Sequence, residues 1–382
     1  MSKLLSLLFA LGLVVLQSTA TLAQAEGDRE SLSSAQPGAF DRQHPEVASL
    51  MNAFGGAHGT LLEQLHTSPG GSIEQDVYNQ LLNSLRSGTE QATTLQTSME
   101  SLAAVAPEVA EALAWGDQFE RALLDIYADD QITDKAAAVD QAVTRYQNRT
   151  EAALPVEPKF MMASGHEGHS MEMDDGHHSM MFRSSFPNAN GLMWASQWLE
   201  IAVFDPILFY DTPEERAEGV AVVVSRYREL LEEAPANFPA EMPTPAAVSP
   251  ELVRVHPQAA AIIDNVHKLY DAVADVLADQ QSGDKAPALT AALRDMRDPE
   301  HMAVSEYDWI LNSLRNGIYF QGGPAIGRLE TSERNRSGHG DHGNMVMPGM
   351  GGPSGTGMPE EAMPDAGDQA APPDQGVDHS NH

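Results

Sequence analysis

Apolar residues recur at three- and four-residue spacing along most of the chain, most plainly at Ile262, Ile263, Val266, Leu269, Tyr270, Val273, Val276 and Leu277. Such a set falls on one face of an α-helix, whereas a half-buried strand needs strict alternation. The same rhythm runs through Val77, Leu81, Leu82, Leu85, Leu95, Met99 and Leu102, and again through Val109, Leu113, Phe119, Leu123, Ile126 and Tyr127. Pro107 suits the opening turn of the latter set, where a missing N–H costs nothing. A further helix is expected from about Thr133 to Ala153, ending before Pro155. A second helical region is expected from about Leu192 to Tyr319, broken by the Pro-rich stretch Pro235 to Pro250. Hydrophobic residues make up 42% of the chain and aromatics only 6%, which favours Ala/Leu-rich helices over a β-sandwich. The expected fold is therefore mainly α: one or two helical-bundle units with a flexible His/Met-rich loop and a disordered C-terminal tail.

The ends and breaks divide the chain. Lys3 followed by the apolar run Leu4 to Leu16 and the small-x-small triplet Ala23-Gln24-Ala25 reads as a signal peptide over residues 1–25. The run is short for a membrane span, so no membrane anchor is expected after cleavage, and the location is periplasmic or secreted. Residues 26–40 form a polar lead-in, 41–155 helical domain 1, 156–185 a His/Met-rich loop, 186–322 helical domain 2 and 323–382 a His/Met-rich tail. Tyr78 to Gly88 and Tyr307 to Gly317 agree at seven of eleven positions, and each has a His-Pro pair upstream, His44-Pro45 and His256-Pro257. This is either a duplicated helical unit or two helices that end alike at a Gly C-cap.

Charge narrows the partners. The chain has 22 Lys and Arg against 55 Asp and Glu, a formal charge of −33, and no Cys. Nucleic acid is excluded for want of clustered cations, while the acidic surface concentrates cations around it. Absence of Cys removes disulfides, lipid attachment and thiolate chemistry alike.

The chemistry concentrates in two segments of low complexity. The first holds His166, His169, Met171, Met173, His177, His178, Met180 and Met181; the second holds His339, His342, Met345, Met347 and Met350, with His379 and His382 near the end. These Met residues sit among Gly, Ser, Asp and His with no apolar stripe to join, unlike Met51, Met99, Met193 and Met296, which are placed to fill a core. Thioether sulfur suits Cu(I), imidazole suits Cu(I), Cu(II), zinc and nickel, and carboxylates add hard ligands for oxidised copper. The thirteen residues from His166 to Met350 are accordingly the expected metal ligands, for copper first and for zinc or nickel otherwise.

The runs His166 to Met181 and His339 to Met350 resemble the Met/His-rich segments of periplasmic copper-resistance proteins. The resemblance implies copper sequestration, buffering or delivery, with periplasmic copper-handling proteins as partners. Counted with the whole tail to His382 it covers about a sixth of the chain, and it leaves the helical body unassigned. Multicopper oxidase activity is excluded, because the chain has neither a Cys for a type 1 site nor a His-x-His pair.

The body has its own histidines. Glu63-x-x-His66 matches a spacing used in di-iron bundles, and Asp41-x-x-His44, Asp264-x-x-His267 and Asp298-x-x-His301 imitate it with shorter acids. In so acidic a chain each of these has a plainer reading as a surface or capping residue. Should they gather, His44, His58, His66, His256, His267 and His301 are the ligands of a helical metal-binding protein or metalloenzyme. The same composition would also serve a zinc or nickel store, or an envelope interaction protein that uses no metal. Glu214-Glu215 and Glu232-Glu233 read as solvated faces, and no nucleotide-binding, hydrolase or haem motif is present.

Overall fold

The structure, a computed structural model, describes residues 38–68, 73–87, 98–159, 180–232, 242–280 and 283–320. In chain order its helices are α1 (Ala39–Gln43), α2 (Pro45–Thr67), α3 (Tyr78–Ser87, preceded by a π-helical turn, Ile73–Val77), α4 (Glu100–Val105), α5 (Pro107–Ala128) and α6 (Lys135–Asn148). After the gap at 160–179 come α7 (Met180–Ser185), α8 (Pro187–Ala202), α9 (Phe204–Phe209), α10 (Pro213–Glu232), α11 (Pro245–Val248), α12 (Pro250–Val255), α13 (Pro257–Ala278), α14 (Ala286–Arg297) and α15 (Glu306–Phe320). The fold is mainly α, and among the described residues strand pairing is confined to one isolated bridge, Lys159 to Ala303. No described helix is long and apolar enough to cross a membrane.

Four long helices begin in the same way. In α2, α5, α8 and α13 a short helix ends on a capping residue, His44, Ala106, Phe186 or His256, and a proline at N1 starts the long helix. The four capping residues share one conformation, with φ between −128 and −143° and ψ between 57 and 67°. Pro disfavours αR in the residue before it, so each short helix must stop there and the chain turns a corner. Five residues ahead of each proline stands a buried apolar anchor, Phe40, Leu102, Phe182 or Leu252. Eighteen residues after each proline stands an acid, Glu63, Asp125, Asp205 or Asp275.

Three of those acids link the helices to one another. The Glu63 carboxylate accepts from the Ser101 and Leu102 amides at the start of α4; Asp125 accepts from the Phe40 amide in α1, and Asp275 from the Phe182 amide in α7. Free N–H groups at a helix start carry partial positive charge, so a carboxylate there is stabilising. The end of α2 is thus fastened beside the start of α5 and the end of α5 beside the start of α2. The two helices run antiparallel. Asp275 sets α13 against α8 in the same manner, and the α8 direction continues into α9 past a break at Val203, where Pro206 withholds the next amide.

Among the described residues one apolar core spans helices before and after 160–179, with Trp115, Trp194, Trp198 and Trp309 buried in it. Met51, Met99, Met193 and Met296 fill it, as their placement on apolar stripes predicts. At Gly116 a Cβ would lie 2.5 Å from a Val266 methyl, so α5 and α13 approach as closely as a missing side chain permits. One expectation shifts. Residues 180–185, read from sequence as loop, form α7 because Asp275 supplies its cap. The Tyr78 and Tyr307 segments lie in α3 and α15; a separate repetition organises the core, the four-fold anchor, corner and proline, to which His44-Pro45 and His256-Pro257 both belong.

Candidate metal centre

Counting from the N1 proline places the polar residues of the core in two layers. Thirteen residues on are His58 in α2, Glu120 in α5, Glu200 in α8 and Tyr270 in α13; ten residues on are Gly55, Asp117, Gln197 and His267. Both layers lie near the middle of α2, α5 and α13, of 23, 22 and 22 residues, whereas Glu200 stands in the last turn of the 16-residue α8. Glu120, Glu200 and His267 meet: one ligand atom from each lies within 4.8 Å of the others. All three are buried, as are His58 and Gln197.

The contacts are attractive but open. The His267 Nε2 stands 3.4 Å from a Glu200 oxygen and 3.7 Å from a Glu120 oxygen, too far and too poorly aligned for a hydrogen bond. Both ring nitrogens of His267, Oε1 of Glu120, Oε1 of Gln197 and Nε2 of His58 have no hydrogen-bond partner. Buried polar atoms are almost always paired, so the unpaired atoms of Glu120 and His267, which meet with Glu200 within 4.8 Å, call for a common partner. Ligand atoms about 2.1 Å from a tetrahedral ion lie ~3.4 Å apart, which matches the separation found between His267 and Glu200.

Electrostatics follow from the burial. Desolvation pushes the Glu200 carboxyl up to about 8, helped by the charge of Glu120 beside it. Burial alone would lower His267, but the two carboxylates outweigh it and hold the imidazolium to about 10. Burial also drives His58 well below its usual range, with the His267 charge adding to the effect. Asp271, one turn beyond His267 and accepting from the Gln197 amide at 3.3 Å, is raised to about 8 by desolvation. The cluster therefore stores protons where a cation can replace them: an ion entering between Glu120, Glu200 and His267 needs the carboxylates ionised and the imidazole neutral. The donors are all oxygen and nitrogen. They suit zinc, iron, manganese, nickel or oxidised copper and offer no sulfur to Cu(I).

Comparison with protein-family models, curated proteins and solved structures returned no match. The site thus stands on its own geometry.

Of the ligands expected from sequence, His166, His169, Met171, Met173, His177, His178, His339, His342, Met345, Met347 and Met350 lie outside the described residues. Met180 opens α7, and Met181 follows it with its side chain 40% exposed. Of the six body histidines, His58 and His267 enter the core, while His44 and His256 stand at helix corners. His301 lies in a turn, and the neighbour proposed for His66, Glu63, is taken up in capping α4. Asp264 does not join His267 either; it is taken by Lys268 at 2.5 Å and by the Trp309 indole N–H at 2.8 Å. Glu120 and Glu200 were not singled out by motif, since no His follows either at the spacing sought. The available signal was their distance from Pro107 and Pro187.

Proposed function

We propose that this is a metal-handling protein whose helical bundle holds a divalent transition ion between Glu120, Glu200 and His267. The observation that carries the reading is the convergence of three buried ligand atoms from three helices within 4.8 Å, with polar valences left unpaired. Without an ion the group must hold protons, as the raised Glu200 and His267 show, and each unpaired buried polar atom costs free energy comparable to a lost hydrogen bond.

A second reading, copper sequestration, buffering or delivery by the His/Met segments of an exported protein, is favoured by how the first segment is mounted. Before it, Asn265 of α13 donates to the Pro155 and Glu157 carbonyls and Lys268 to the Lys159 carbonyl. After it, Asp275 of the same helix holds Phe182. The described residues on either side of this segment are therefore both held by the helix that bears His267.

Metal analysis separates the two. Copper, zinc, nickel, iron and manganese would be counted in untagged protein, in a Glu120→Gln/His267→Gln variant, and in a variant with Ser at all eight histidines of the two segments. Loss in the first variant alone supports the bundle site, and loss of copper in the second alone supports the segments. Absence of metal from all three after loading would sink both.

A further inference from the structure

We infer that His58 is the fourth ligand of this centre, so that the four long helices each supply one donor and the ion is wholly enclosed. The inference rests on the bundle-site reading and extends it. His58 stands at the same distance from its helix-starting proline as Glu120 and Glu200 do from theirs. Its ring lies against Tyr270, with centroids 4.8 Å apart, and Tyr270 is one turn of α13 beyond His267 on the same face. One turn is ~5 Å along a helix axis; the His58 nitrogens lie outside the 4.8 Å group of Glu120, Glu200 and His267, so ligation requires the ring to draw in as the ion binds. Phe54, one turn earlier on α2, packs on the same ring with centroids 3.8 Å apart.

The chemistry of the set is complete in itself. His58 is 4% exposed, and no described protein group hydrogen-bonds its Nε2, so that lone pair is free of protein donors. Two carboxylates and two neutral imidazoles balance a divalent ion and fill a tetrahedral shell. With α2 and α5 on one side of the 160–179 gap and α8 and α13 on the other, the ion would tie the halves of the chain together.

The test uses the full chain with Ser at the eight segment histidines, stripped with a chelator and titrated with Co²⁺, whose visible absorption reports coordination number; affinity is read with Zn²⁺ against a chromophoric chelator. One ion per chain with a four-coordinate spectrum is expected. His58→Gln should weaken Zn²⁺ binding at least ~100-fold, beyond the loss that removing an outer-shell partner causes, and shift the cobalt spectrum to higher coordination as water enters. In His58→Ala, added imidazole should restore the four-coordinate spectrum, a result a packing role would not produce. Unchanged affinity and spectrum in His58→Gln alongside loss of binding in His267→Gln would overturn the fourth ligand and leave the three-residue site standing. Two cobalt ions per chain would overturn it too, by assigning His58 to a second ion. No binding by the parent chain would overturn the bundle-site reading and this inference together.

Discussion

Replacing Gly116 by Ala would test the helix approach on which the centre depends. Gly116 sits one turn before Glu120 on α5, and Val266 immediately precedes His267 on α13. A Cβ at 116 would fall 2.5 and 2.6 Å from the two Val266 methyls and 3.1 Å from its Cβ. In an isolated helix the change is favourable by about 1 kcal/mol, because Ala loses less backbone entropy than Gly. Against that, overpacking a close contact costs about 1–3 kcal/mol. The Val266 Cβ is fixed to its backbone and cannot swing aside, so the upper part of that range applies. The expected net loss is about 1–2 kcal/mol, or a few degrees in Tm for a chain of this size. Moving α5 outward also draws Glu120 away from His267, so metal affinity should fall with stability. Thermal and urea unfolding of Gly116→Ala, Val266→Ala and the double variant would be combined in a cycle, with a coupling of at least ~1 kcal/mol expected. If Gly116→Ala instead stabilised the protein by the full propensity gain with affinity intact, the close approach and its role in setting the centre would be refuted.

Stability of the metal-free protein should depend on pH in one direction. Glu200 and Asp271 are raised to about 8, so the folded state holds protons that the unfolded chain releases near pH 4, and their contribution is lost as pH rises to about 8; His267, raised to about 10, contributes fully below 6.5 and loses that contribution as pH rises further. Urea midpoints should therefore fall from pH 6 to pH 9, whereas a bound divalent ion should bind more tightly over the same range; a rising midpoint without metal would contradict the burial argument. Removing the carboxylate that caps α7, in Asp275→Ala, should cost ~1 kcal/mol and speed tryptic cleavage at Arg183, with Asp125→Ala giving a similar loss at α1; unchanged unfolding and cleavage would show the caps to be idle. Trp309→Phe removes the indole donor from Asp264 and should cost about 1–3 kcal/mol by urea unfolding; a neutral result would mean that Lys268 alone satisfies that acid.

Helical periodicity, the N1 prolines and the core methionines were legible in the sequence because each depends on residues a turn or two apart. The stripe from Ile262 to Leu277 predicts a buried helix face, and α13 buries that face almost completely. Pro107 announces the start of α5, and the Pro-rich stretch before Pro250 falls between α10 and α12. Asp264-x-x-His267 shows where local spacing misleads. The pair shares a helix face, but Trp309, forty-five residues on, claims the acid, and the partners of His267 come from α5 and α8. That exchange is invisible locally because a carboxylate's role depends on which neighbour neutralises it. Glu63, Asp125 and Asp275 look like any other acids of an acidic chain until the helix starts they cap are placed beside them. The sequence by itself determined that the chain is helical and that Pro107 opens a long helix, and it supplied the pool of His and carboxylate side chains from which a site could form. Only the tertiary structure decided which of those residues meet, because the relative register of helices is set by contacts such as Gly116 with Val266 and Asp125 with Phe40, between residues far apart in the chain.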